Sequence, residues 1–153
     1  MRHSQKNCFF GVSNDKILEN PVRPILLPHI YRSLQIKKKI IEVDEFDQHR
    51  RLIFNYGHTF GHAIESVSNF AIPHGQAVTM GIGLANFISW KNGLLKLYQK
   101  NVIDGLIEKN MPRFTINESN IDSYISVLKK DKKSGANNVV CILLDCTFRL
   151  QPF

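Results

Sequence analysis

Apolar residues recur at helical intervals along most of this chain, and the pattern predicts a succession of helices closed by a short strand. Ile30, Leu34, Ile40 and Ile41 mark one side of a helix from about Pro28 to Val43, with Pro28 in its first turn. A charged connector, Asp44 to His49, leads to a second helix from about Arg51 to Ser68. Val78, Ile82, Ala85 and Ile88 then recur within a third, from about Gly75 to Lys91, while Met80, Leu84 and Phe87 widen its apolar surface. Asn92-Gly93 ends it, and a fourth helix is expected from about Leu95 to Glu108. Ile121, Ile125 and Leu128 predict a short amphipathic helix, with Ser119 to Asp122 resembling a capping box at its start. The β-branched, apolar run Val139 to Leu144 reads as a short buried strand. Residues 1–27, carrying Gly11, Asn14, Asn20, Pro21 and Pro24, show little period, so the expected organisation is a poorly defined N-terminal segment and one helical domain over 28–153.

Composition agrees with one globular domain. The 153 residues are 43% hydrophobic and 22% charged, enough to bury one core and too apolar for a disordered chain. A formal charge of +7 favours acidic partners and fits a phosphorylated small molecule. Nucleic acid is the rival reading of that charge, but there is no zinc-finger spacing, RNA-binding aromatic motif or long basic helix to support it. Three cysteines, Cys8, Cys141 and Cys146, are too few and odd in number for a disulfide framework and point to a reducing compartment; Cys141 and Cys146 read as packing residues of a terminal strand pair. No apolar run approaches the roughly 20 residues that span a bilayer, so the expectation is a cytoplasmic protein with no membrane partner.

The chemistry concentrates in Asn55-Tyr56-Gly57-His58-Thr59-Phe60-Gly61-His62-Ala63-Ile64-Glu65 and the following Pro73-His74-Gly75, which hold three of the six histidines. On a helix His58 and His62 lie one turn apart with Glu65 along the same side, and His74 sits at a helix start from which its ring could face the same pocket. Neutral imidazole is the commonest ligand of zinc and similar ions, and two histidines at i, i+4 can converge on one metal. A lone His-x-x-x-His pair is more often a surface or core feature. Here Gly57 and Gly61 recur one turn apart inside the helix, at about 1 kcal/mol each relative to alanine, which suggests close approach by a neighbouring helix or ligand. Arg51, Asn55, His58 and His62, spaced by four, three and four, would form one polar stripe. With Lys37 upstream, that stripe reads as a cradle for a small anion, against the bland alternative of a solvated basic face.

These residues carry a family resemblance. The run Lys37 to Glu45, then Arg51-x-x-x-Asn55-x-Gly57-His58-Thr59-x-Gly61-His62-Ala63-x-Glu65, then His74-Gly75-x-x-Val78-x-x-Gly81, resembles the C-terminal domain of 3-dehydroquinate synthase and related sugar phosphate cyclases. The resemblance implies a mainly α domain with a short terminal β element. It also implies His58 and His74 as ligands of a divalent metal, zinc or cobalt, and Lys37, Arg51, Asn55 and His62 as substrate-binding positions. Lys37, Arg51 and His62 are the expected catalytic group, with His62 near the departing phosphate. The segment Asp131-Lys132-Lys133-Ser134-Gly135 resembles a late family segment in which a lysine contacts substrate, so Lys132 and Lys133 join the expected substrate site.

The implied reaction belongs to the shikimate pathway of aromatic amino acid biosynthesis. NAD transiently oxidises a hydroxyl of a heptulosonate phosphate, phosphate leaves, the carbonyl is reduced, and ring opening with aldol closure forms a carbocycle. The sequence departs from the family in two respects: no Gly-rich dinucleotide fingerprint is present, and neither is the segment that supplies the third metal ligand, a glutamate. The expectation is therefore a metal and substrate half without its NAD-binding domain, acting as a homodimer or with a separate NAD-binding chain. Other sugar phosphate cyclases, metal-dependent alcohol or glycerol dehydrogenases, and a non-catalytic fragment remain the alternative readings.

Overall fold

A computed structural model of the chain describes residues 23–46, 50–130 and 139–153. These are mostly helical, as the periodicity predicts, and the chain divides into two compact units, Met1–Arg50 and Arg51–Phe153.

The first unit contains α1 (Arg23–Ile41), which starts five residues before the expected Pro28. Pro24 falls in the first turn, where a missing N–H removes no helical hydrogen bond, while Pro28 lies inside the helix and forfeits one. Lys38 and Lys39 occupy the last turn, where the negative end of the helix dipole favours cations. Beyond it the Asp44 N–H donates to the Ile40 carbonyl at 2.9 Å and the Asp44 side chain is buried.

In the second unit the expected single helix from Arg51 to Ser68 is two elements. A 3-10 turn, Arg50–Asn55, is followed by a break at Tyr56 and Gly57, and only then by α2 (His58–Val67). Gly57 causes the break: its φ of 76° is a left-handed conformation that a residue with a Cβ adopts only under strain. After a loop, α3 (His74–Lys91) begins at His74. Next come α4 (Leu97–Ile107), a 3-10 turn at Glu108–Asn110, and α5 (Ile121–Lys130). The expected capping box before α5 is not formed. Ser119 instead donates to Asn117 Oδ1 at 2.7 Å and Asn120 Oδ1 accepts from the Asn117 N–H at 2.8 Å, so the polar side chains close a turn on themselves.

The terminal strand pair is an antiparallel hairpin of β1 (Ile142–Leu144) and β2 (Leu150–Pro152), with Leu143 opposite Gln151. Cys141 packs beside it as expected, but Cys146 lies exposed in the connecting turn, where packing makes no use of it. α3 is the central element, touching α2, α4 and β1. Phe60, Ala63 and Ile64 of α2, Ala77 and Ala85 of α3, Tyr124 and Leu128 of α5, and Leu143 of β1 form one core. Buried Ser89 links layers: its hydroxyl donates to the Ala85 carbonyl at 2.9 Å and accepts from the Leu144 N–H at 3.2 Å.

Candidate metal centre

Two helix starts build the centre. His58 opens α2 immediately after the Gly57 break, and His74 opens α3 immediately after Pro73. The chain returns between them through Asn69 and Phe70, both at positive φ, with the Phe70 N–H bonded to the Glu65 carbonyl at 2.8 Å.

Glycines set the spacing of the two helices. A Cβ on Gly61 would lie 2.9 Å from the Val78 Cα, and one on Gly81 would fall on the Gly57 carbonyl oxygen. The helices therefore meet backbone to backbone, the close approach that Gly57 and Gly61 predict. Gly83 plays no part in it: a Cβ there would meet the tips of Ile107 and Met111 instead of α2.

The result is three neighbouring imidazoles. Ring centres lie 5.5 Å apart for His58 and His62, 5.4 Å for His58 and His74, and 5.7 Å for His62 and His74. Two imidazoles bound tetrahedrally to one zinc ion at ~2.1 Å have ring centres roughly 5 Å apart, so this spacing fits a shared ion.

Hydrogen bonds separate the three rings. His58 Nδ1–H donates to the Tyr56 carbonyl at 3.2 Å, and His74 Nδ1–H donates to the Glu65 carboxylate, 3.1 Å from each oxygen. With those acceptors the Nε2 atoms of His58 and His74 carry free lone pairs, the arrangement in which a histidine ligand is oriented through its other nitrogen. His62 has no such tether among the described residues and is exposed. Burial, together with the nearby His62 and His74 rings, holds His58 below the ordinary imidazole range, against the opposing pull of the Tyr56 carbonyl. That favours the neutral form a metal requires.

The Tyr56 carbonyl is itself anchored. The Tyr56 hydroxyl donates to Oδ1 of the fully buried Asn86 on α3, and burial pushes the phenol up to about 12. Ligand atoms of His62, Glu65 and His74 lie within 4.8 Å of one another, a set that leaves out His58 and in which the Glu65 carboxylate already faces His74 Nδ1. Next to the cluster, a groove of about 270 Å³ is lined by Thr59, His62, Ala63, Val127 and Lys130.

The other expected site residues fall differently. Arg51 and Asn55 lie half-buried on the 3-10 turn ahead of Gly57, so the predicted stripe does not run on one helix into His58 and His62. The left-handed residue resets the helical phase. Lys37 lies on α1 in the first unit with its side chain exposed. Lys132 and Lys133 lie outside the described residues. Sequence reasoning placed Glu65 on the histidine face without seeing its partner, since a carboxylate bridging to the next helix has no periodic signal. It passed over Lys130, which stands in the same basic run as Lys132 and Lys133.

A helical unit with a histidine-rich cluster at two helix starts defines an α domain with a candidate metal site. Residues 5–134 match the family described as 3-dehydroquinate synthase C-terminal, and the chain belongs to that family. It is 34% identical over 156 residues to the 3-dehydroquinate synthase of Pelagibacter ubique (strain HTCC1062), covering 94% of this chain and 42% of that protein. It is 36% identical to those of Helicobacter hepaticus (strain ATCC 51449 / 3B1) and Ruthia magnifica subsp. Calyptogena magnifica, covering 91% and 89% of this chain and 39% of each relative. The chain thus spans about two fifths of the length of these relatives. Among the described residues, no helix is long and apolar enough to cross a membrane.

Proposed function

We propose that this chain is the metal and substrate half of a 3-dehydroquinate synthase-like carbon–oxygen lyase, which cyclises a heptulosonate phosphate with loss of phosphate in the cytoplasm. The observation that carries the reading is the clustering of the His58, His62 and His74 rings, with Nδ1 of His58 and of His74 engaged and Nε2 of each left for a ligand. His58 and His74 hold a divalent ion, zinc or cobalt, which when bound supplies Lewis acidity to substrate oxygens. His62, which lines the groove and is exposed, moves a proton at the leaving phosphate in this reading. Arg51 and Asn55, with Lys37 and one of Lys132 and Lys133, grip carboxylate, hydroxyl and phosphate oxygens through charge-assisted hydrogen bonds. The NAD chemistry belongs to a nucleotide-binding half, a separate chain or domain that seats the dinucleotide.

Phosphate release from a heptulosonate phosphate tests this reading, with NAD and Co²⁺, for the chain alone and mixed with a separately expressed nucleotide-binding half. Release that needs both chains and disappears in His58→Ala is expected. Oxidation of simple polyols in place of phosphate release would move the chain to the metal-dependent alcohol dehydrogenases. No turnover under any combination would leave a non-catalytic domain.

A further inference from the structure

We propose that Glu65 is the positioning residue of this centre: its carboxylate accepts a hydrogen bond from Nδ1–H of His74 and so turns Nε2 of that ring toward the ion. The proposal rests on the reading of His74 as a ligand. Glu65 comes from the last turns of α2 and His74 from the first residue of α3, so their hydrogen bond ties the two helices that build the site. Both carboxylate oxygens lie 3.1 Å from Nδ1, which spends the carboxylate on the imidazole. The exposures are unequal: the Glu65 side chain is 12% exposed and that of His74 56%. A fixed, mostly buried acceptor therefore holds a ring that solvent would otherwise leave free to rotate.

His58 obtains the same service from a backbone carbonyl, which is uncharged. An anionic partner does more than orient: it raises the basicity of the ring it holds and strengthens the bond to the ion. The centre then has one histidine set by the main chain and one set by a replaceable side chain.

Two readouts on the full chain decide the matter, with thermal melts of Glu65→Gln and Glu65→Ala verifying folding. In the metal-free chain, long-range ¹H–¹⁵N spectra of the imidazoles should find His74 as the Nδ1–H tautomer and show it moving toward Nε2–H in Glu65→Ala. In a Co²⁺ titration followed by visible absorption, Glu65→Ala should weaken binding about 10- to 100-fold with the band shape retained, and Glu65→Gln, which keeps an acceptor oxygen, should recover part of the loss. An unchanged tautomer or unchanged Co²⁺ affinity in Glu65→Ala overturns the proposal. So does a band shape that reports a lost ligand, because Glu65 would then touch the ion directly. Wild-type chain that binds no Co²⁺ sinks the metal reading itself, and this proposal with it.

Discussion

Two glycines on α3, two residues apart, face opposite kinds of neighbour. Gly81 meets the main chain of α2 at Gly57 and Gly61, whereas Gly83 meets only the ends of the Ile107 and Met111 side chains. The first face fixes where His58 and His74 stand relative to each other, and backbone against backbone has no rotamer with which to yield. The second face closes the core over α4 and the turn after it, where side-chain tips can shift by a few tenths of an ångström. The rigid contact is therefore found where ligand geometry depends on it, and the adaptable one where only burial is required.

The sharpest way to break that contrast is Gly81→Ala. Its methyl has no space to enter, so destabilisation at or above the upper end of the roughly 1–3 kcal/mol for overpacking is expected, a fall of about 10 °C in Tm. Any folded fraction should also bind Co²⁺ more weakly, because the helices must separate. Gly57→Ala comes next: a Cβ there would lie 2.8 Å from the Ile82 backbone nitrogen and the residue holds φ 76°. A loss of about 1–3 kcal/mol in urea unfolding is expected, with weakened Co²⁺ binding.

Gly83→Ala should change stability by less than about 1 kcal/mol and leave Co²⁺ affinity unaltered, since its new methyl meets Ile107 Cδ1 at 3.1 Å and Met111 Cε at 3.2 Å. Equal effects at positions 81 and 83 in calorimetry would erase the distinction between the two faces. Gly105 of α4, with open space around it, supplies the opposite sign: Gly105→Ala should stabilise by about 0.5–1 kcal/mol through helix propensity alone.

The smallest effect belongs to the hairpin turn, which a charged side chain holds in place of backbone packing. Asp145 accepts from the Arg149 N–H at 3.0 Å and from the Thr147 N–H and hydroxyl at 2.8 and 2.7 Å. The Arg149 N–H, followed by the Thr147 hydroxyl, holds its carboxyl below the usual 3.8. A carboxylate depressed in the folded state contributes stability above its unfolded value and loses it as pH falls through the folded one. The amide resonances of Thr147 and Arg149 should therefore shift below pH 3.8, and that step should be missing in Asp145→Asn.

Much of the fold was legible because burial leaves a period. The apolar sides of α3 and α5 read directly, and Gly57 and Gly61 announced close packing through their very cost. The continuity of the histidine helix did not read correctly. Arg51, Asn55, His58 and His62 have flawless helical spacing, yet Gly57 takes a left-handed φ between the second and third of them. Spacing carries no information about one residue leaving the helical region. Pro28 misled in the opposite direction, since α1 runs through it from Arg23.

The amino-acid order by itself determined the helical class, the histidine motif and the family to which the chain belongs, since each is written in local period or in residue identity at fixed spacing. Only tertiary structure decided that three imidazoles cluster, that Nδ1 of His58 and of His74 is already engaged, and that Glu65 reaches across to the next helix. Those outcomes depend on the distance between α2 and α3. That distance is fixed by backbone atoms of glycines far apart along the chain, and local sequence announces close packing there without saying which helix is the partner.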